Sequence, residues 1–296
     1  VIEITDPRQM RQWSRGQKRI GTSVGFVPTM GYLHEGHLHL IERARMAVDK
    51  VVVSIYVNPI QFGPSEDFNR YPRDLPRDRS AAAERGAACL FVPLTRDMYP
   101  REPEVRLVPG ALGAHLCGPW RPGHFEGVLT VVAKLFHVVE PDVAVFGRKD
   151  AQQAAIVRRM VEDLNLPVEI LVAPIVREPD GLALSSRNAY LSSEERVVAP
   201  LLSRALEAAH QAYVAGVTDP KQLVRTVRLV VEREPRFRLE YVEAVDQEGL
   251  VPVTAATDET LLALAARLGP TRLIDNIVLG RGIVGDEVLG SEGEGK

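Results

Sequence analysis

Cysteine is nearly absent from this chain: Cys89 and Cys117 are the two in 296 residues. They cannot build a disulfide framework, which excludes the small stapled secreted folds and fits a reducing compartment. Lysine is also scarce, with six residues against a large excess of arginine, so a lysine in a polar loop invites a functional reading. No apolar run approaches the ~20 residues of a membrane span, and no charged-then-apolar leader is visible at the start, so a cytoplasmic location and no membrane partner are expected. An excess of one charge sign is missing too. The formal net charge is −3 and there is no polybasic patch, so nucleic acid is not expected as a partner. What remains is an ordinary globular composition, 45% hydrophobic and 25% charged, on a chain long enough for one large domain or two medium ones.

Up to residue 174 the pattern alternates short apolar runs with helical periodicity, the mark of an α/β fold. Residues 2–5 read as a strand, with Asp6 as N-cap and Pro7 as first position of a helix reaching Gln17. Residues 24–27 and the β-branched run 51–57 read as buried strands, joined through a helix over 38–48 in a right-handed β-α-β unit. Residues 67–79, charged and holding Pro72 and Pro76, read as irregular surface leading into a helix over 78–85. Strands at 89–92, 143–146 and 168–172 alternate with helices over 128–139 and 150–164. Beyond 175 two amphipathic helices, 192–213 and 219–233, precede strands at 239–245, 261–265 and 273–278. This predicts a domain over 1–174, a smaller α+β domain over 175–284 that closes over the first, and a disordered Gly- and Glu-rich tail over 285–296.

The most informative stretch is Pro28-Thr29-Met30-Gly31-Tyr32-Leu33-His34-Glu35-Gly36-His37, where a strand gives way to a helix. In open α/β sheets ligands bind at that junction, and the first N–H groups of the helix face an arriving anion. Gly31 and Gly36 lack a Cβ and let a phosphate approach the backbone. His34 and His37 place two imidazoles on one side of the helix start, where they can donate hydrogen bonds as charge builds on a phosphoryl group. A zinc site is disfavoured: the metalloprotease pattern sets its histidines four apart, and no third ligand cluster accompanies this pair.

Other candidates follow further strands. Asn58 and Gln61 are neutral amides suited to a hydroxyl or carboxylate, and Arg121 and His124 are candidates for anion contacts. After the strand at 143–146 come Lys149, suited to triphosphate oxygens, Asp150, suited to ribose hydroxyls and to capping its helix, and Gln153 one turn on. Ser185 and Ser186 beside Arg187 offer donors for phosphate oxygens.

Four separated motifs resemble the pantothenate synthetase family, within the nucleotidyltransferases that share a His-x-Gly-His signature. They are Pro-Thr-Met-Gly-x-Leu-His-x-Gly-His, Tyr-Val-Asn-Pro-x-Gln-Phe from Tyr56, Phe-Gly-x-Lys-Asp-x-Gln-Gln from Phe146, and the stretch from Arg177 to Leu191 that holds Ser185-Ser186-Arg187-Asn188. The resemblance spans about residues 2–284. It implies a Rossmann-like parallel-sheet domain with a smaller C-terminal α+β lid, usually a homodimer. It also implies ATP-dependent condensation of (R)-pantoate with β-alanine through a pantoyl adenylate, releasing pyrophosphate and then AMP.

Carried over residue by residue, Met30, Gly31, Tyr32, Leu33, His34, Glu35, Gly36 and His37 form the ATP loop. His34 and His37 contact phosphates, His37 is the proton donor, and Lys149 joins them as a catalytic residue. Gln61 and Gln153 bind pantoate, and Gln61 also lies near β-alanine. Gly147, Arg148, Lys149, Asp150, Val176, Leu184, Ser185, Ser186 and Arg187 complete the nucleotide site, with Mg²⁺ held mostly by phosphate oxygens. Members that transfer a nucleotide to a phosphate acceptor share the short signature, but such an acceptor calls for cationic side chains where this chain offers Asn58 and Gln61. Two departures are visible: Leu184 where the family usually has methionine, a volume-conserving change, and Arg148 where it often has an acidic residue, which makes the surroundings of Lys149 more positive.

Overall fold

Short β-branched runs build the first sheet of this computed structural model, which describes residues 1–289. Its strands are β1 (Ile2–Ile4), β2 (Val24–Thr29), β3 (Lys50–Ile55), β4 (Cys89–Phe91), β5 (Val143–Gly147) and β6 (Glu169–Ala173). All pairings are parallel, in the order β1-β4-β3-β2-β5-β6. The intervening helices are α1 (Pro7–Arg19), α2 (Glu35–Ala47), α3 (Leu75–Glu84), the single turn α4 (Thr95–Met98), α5 (His124–Val139) and α6 (Ala151–Asp163). Val51, Val52 and Val53 are buried, as a strand covered on both faces requires. Val27, Ile41, Ala44, Val53, Leu90 and Val145 share one buried cluster, each large aliphatic worth roughly 1.5–3 kcal/mol.

Local chemistry sets the helix starts. Asp6 caps α1 by accepting from Arg8 N and Gln9 N, both at 2.8 Å. Asp74 caps α3, accepting from Arg77 N at 3.2 Å, with Pro76 in the first turn. That helix therefore begins at Leu75, inside the segment whose charges and prolines had suggested irregular surface. Similarly, α2 begins at Glu35 and not at 38, and α5 begins at His124 after Gly123 takes a left-handed conformation (φ 77°).

The strand order reverses between β2 and β5. From β2 the sheet runs one way through β3, β4 and β1, and the other way through β5 and β6. The carboxyl ends of β2 and β5 are thus neighbours, the topological switch point at which open α/β sheets bind ligands.

The chain divides into two units. The first comprises Val1–Gly110, Arg121–Arg148 and Gln153–Ala173; the second comprises Ala111–Trp120, Lys149–Gln152 and the chain from Pro174 onward. The second unit holds β7 (Val176–Arg177), α7 (Ser193–Val198), α8 (Leu201–Val214), α9 (Pro220–Val231), β8 (Phe237–Val245), β9 (Leu261–Leu268), β10 (Thr271–Val278) and β11 (Glu287–Val288). Three of these strands pair antiparallel in the order β10-β9-β8, around a core that includes Leu206, Leu223, Val227, Leu264 and Ile277. The α/β class with a parallel sheet and a smaller α+β part is as the sequence pattern predicts.

Two further details differ from expectation. The single helix expected over 192–213 is two helices, because Pro200 lacks an N–H and a continuous helix cannot pass through it. A capping box does start α7: Ser192 Oγ accepts from Glu195 N, and Glu195 accepts from Ser192 N. The tail expectation over 285–296 fails at its start, where β11 pairs in parallel with β7; residues 290–296 lie outside the described residues. Finally, Arg177 is wholly buried, bonded to Asp275 at 2.7 and 2.9 Å and to Asp286 at 2.7 Å. Burial works against its charge, and the two carboxylates outweigh that and raise its pKa. No helix among the described residues is long and apolar enough to cross a membrane.

Candidate active site

The backbone leaving β2 turns sharply before α2 begins. Thr29 Oγ1 donates to Ser54 O (2.6 Å) and accepts from Gly31 N (3.1 Å), tying the strand end to its neighbour. Gly31 (φ 82°) and Tyr32 (φ 51°) then both adopt left-handed conformations. A Cβ on Gly31 would lie 2.8 Å from Ile55 Cγ2, so glycine is needed there for space as well as for φ. Tyr32 has no such licence. It is held by Asp78 of α3, whose carboxylate accepts from Tyr32 N at 2.7 Å and Leu33 N at 2.6 Å. Asp78 is 1% exposed, and burial pushes its carboxyl above the usual carboxylate range despite those two donors.

This turn delivers the histidines. His34 stands at the N-cap of α2 in extended conformation, His37 lies one turn in, and their ring centroids are 4.0 Å apart at a 36° tilt. The backbone N–H of His34 faces His37 Nδ1 at 3.4 Å. Among the other residues of the loop, Leu33 is buried, Met30 lies against Gln61, and Gly36 is in the first turn of α2. Glu35 is engaged by Arg85 Nη2 at 2.8 Å, and Arg85 also binds Glu42.

At the end of β3 the structure brings together the amides and the later arginine and histidine. Asn58 Nδ2 donates to Gln61 Oε1 (3.0 Å) and to Gly127 O (3.1 Å), and Gln61 Nε2 donates to Met30 Sδ (3.2 Å). His124 Nδ1 lies 2.9 Å from Gln61 O, and its Nε2 lies 2.8 Å from Arg121 Nη1. Arg121 binds Glu66 through two 2.7 Å bonds. Burial raises the Glu66 pKa, and the hydrogen bonds and charge of Arg121 reverse that, leaving it below the ordinary value. Arg121 and His124 thus support the turn that carries Gln61. Gly147 ends β5, Arg148 follows it, and Gln153 is half-buried in α6.

The remaining candidates lie in the second unit. Lys149 and Asp150 occupy a 3₁₀ turn, and Asn276 Nδ2 donates to Lys149 O at 3.0 Å. Val176 belongs to β7, and its carbonyl accepts from Leu184 N at 3.0 Å. Ser185 caps the turn Ser186–Tyr190, its hydroxyl accepting from Arg187 N at 3.3 Å; Ser186 is buried and Arg187 half-buried. Lys149, Ser185, Asn188 and Asp275 line one small cavity of this unit.

Sequence reasoning missed Asp78, Glu66, Tyr99 and Gly127. For Asp78 a signal existed: once Asp74 is read as a cap, Asp78 falls one turn before buried Ala82 on the same helix face, and a carboxylate on an apolar face asks for a partner. The other three meet the site only through long-range packing.

Known proteins are similar to this chain along nearly its whole length. Residues 3–278 match the family model described as pantoate-beta-alanine ligase. The chain is 54% identical over 276 residues to the pantothenate synthetase of Heliobacterium modesticaldum, covering 93% of this chain and 98% of that one. It is similar to the crystal structure of pantothenate synthetase from Thermus thermophilus, with TM-score 0.89 and 46% identity over 94% of this chain and 99% of that one. It is also similar to the pantoate-beta-alanine ligase from Francisella tularensis, complexed with beta-gamma ATP and beta-alanine, with TM-score 0.80 and 32% identity over 95% of this chain and 98% of that one. With its two histidines seated at the switch point of such a sheet, the chain belongs to the pantoate–β-alanine ligase family.

Proposed function

We propose that this ligase activates pantoate with ATP at the histidine pair of α2. Its reaction is the family's, the ATP-dependent condensation of pantoate with β-alanine, which makes it a carbon–nitrogen ligase. A pantoate carboxylate oxygen attacks the α-phosphorus; a new P–O bond forms as the bond to pyrophosphate breaks. The β-alanine amine then attacks the acyl carbon, the amide forms, AMP departs and the amine loses its proton.

No covalent bond to the protein is needed, so the residues position groups and stabilise charge. His34 and His37 donate to phosphate oxygens as pyrophosphate departs, with His37 the proton donor, and Lys149 supplies a point charge. Gln61 and Gln153 hold pantoate, and Gln61 also meets β-alanine. The nucleotide-binding residues in this reading are Met30 to His37, Gly147, Arg148, Lys149, Asp150, Val176, Leu184, Ser185, Ser186 and Arg187. Mg²⁺ would enter as part of the MgATP substrate, held mostly by phosphate oxygens. The reading includes (R)-pantoate as the enantiomer used, a cytoplasmic homodimer, and a division into a substrate-binding domain over 1–174 and a smaller lid over 175–284.

The observation that carries it is the 4.0 Å approach of the His34 and His37 rings at the N-terminus of α2. The test is pyrophosphate release from MgATP and (R)-pantoate, before and after β-alanine is added, with AMP and pantothenate followed in the same samples. Pyrophosphate in the first stage, with AMP and pantothenate only in the second, is the expected result. A stable nucleotide adduct without AMP sinks it.

A further inference from the structure

An amide can face a ligand with its oxygen or with its nitrogen, and the surroundings of Gln61 select one end. The selection starts at Gly127, whose carbonyl can only accept. A Cβ at this position would lie 2.5 Å from Ile60 O and 2.6 Å from Gln61 Cα, so only glycine lets α5 bring its backbone against the 58–61 turn. Gly127 O faces the Asn58 side chain at 3.1 Å, which must present Nδ2. The other end, Oδ1, then faces the Tyr99 hydroxyl at 2.9 Å, and the hydroxyl must donate. Asn58 is 1% exposed, so no water competes for either end. The second Nδ2 proton goes to Gln61 at 3.0 Å, which fixes Gln61 Oε1 as acceptor and turns Nε2 away from Asn58, to Met30 Sδ at 3.2 Å. Lys134 Nζ stands 5.3 Å from the Tyr99 ring centroid and steadies it by a cation–π contact.

The geometry points to Tyr99 as a positioning residue that acts through Asn58 to hold Gln61 as a hydrogen-bond donor, so that Gln61 recognises an acceptor oxygen, carboxylate or hydroxyl, of the activated acid. This rests on the reading of Gln61 as a pantoate-binding residue. Without the Tyr99 hydroxyl, Asn58 Oδ1 is left buried with no donor and the Asn58 amide is held by Gly127 O alone, so the amide that fixes the sense of Gln61 is held less firmly.

The test uses the full chain and initial rates of pyrophosphate release with pantoate and ATP varied in turn. Tyr99→Phe removes one oxygen and should raise the KM for pantoate ~5–10-fold, the size of one lost hydrogen bond, while the KM for ATP stays within about twofold. Because the effect passes through Gln61, Tyr99→Phe added to Gln61→Ala should change pantoate KM no further than Gln61→Ala alone. Equal shifts in both KM values, or a full additional loss in the double variant, show a general packing role and overturn the relay. Gln61→Ala with an unchanged pantoate KM overturns the underlying reading as well, and so is distinct from failure of the relay alone. Gln61→Glu probes the donor sense directly, since its carboxylate offers no N–H: pantoate KM should rise at least ~30-fold, and a Gln61→Glu protein that binds pantoate like the wild type overturns the inference.

Discussion

Asp78 holds Tyr32 in the left-handed region. The carboxylate accepts Tyr32 N at 2.7 Å and the next amide at 2.6 Å, from a residue 46 positions later in the chain. A non-glycine residue in that region costs about 1–3 kcal/mol, and these two bonds oppose the cost while aiming the following residue, His34, at the start of α2.

Asp78→Ala should therefore slow pyrophosphate release ~10–100-fold, the loss expected when oxyanion donors are misplaced. A rate within twofold of wild type would show that the loop keeps its shape unaided. Stability should move the other way with pH. The folded-state pKa of Asp78 is raised above the ordinary 3.8, so its ionisation works against folding: its favourable contribution is complete below 3.8 and is lost as pH rises through the folded value. Urea midpoints should show wild type losing ground to Asp78→Ala as the pH climbs through that window.

His34→Ala and His37→Ala should each reduce adenylate formation at least ~100-fold, as removal of a transition-state donor does. Single-turnover pyrophosphate release measures it, and a near-native rate in either variant removes that residue from the chemistry.

Glu66 carries the opposite pH sign. Its pKa is held below the ordinary 4.5 by Arg121, against burial, so the ion pair stabilises the fold above 4.5 and that contribution is lost as pH falls through the folded value. Glu66→Gln should cost about 1–3 kcal/mol at pH 7, and the gap between the two proteins should close on acidification below 4.5. A gap constant with pH would show that packing, not charge, is what Glu66 contributes.

Arg177→Met should be the most damaging single change in the second unit. It leaves Asp275 and Asp286 buried without their cation, a situation that costs about 3–5 kcal/mol. The denaturation midpoint of Arg177→Met/Asp275→Asn/Asp286→Asn should recover part of that loss, since no uncompensated charge remains.

Much of the fold was legible where a local rule decides it. Asp6 before Pro7, Ser192 with Glu195 three residues on, and the unbroken β-branched run at 51–53 each carry their structural meaning within one turn or strand. The His34–His37 pairing was legible for the same reason, as two residues on one turn. What was not legible depends on distance or on competing signals. Pro72 and Pro76 read as irregular surface as far as 79, in a segment where Asp74 caps a helix that begins at Leu75. Helical periodicity runs on both sides of Pro200, which nevertheless breaks the helix. Nothing near Arg177 announces its carboxylates, which are 98 and 109 positions away, and nothing near Gln61 announces Tyr99 or Gly127.

That last spacing bears on synthesis. At about 5–20 residues per second, the 109 positions between Arg177 and Asp286 take roughly 5–20 s to translate. The first unit has all its strands by Ala173, so its sheet can close while the ribosome is still working. The second unit cannot finish, because a guanidinium destined for a dry interior waits for carboxylates 98 and 109 positions further along. A nascent chain stalled between Ala173 and Asp275, with the first sheet clear of the ribosome, should therefore carry one folded half and one protease-sensitive half.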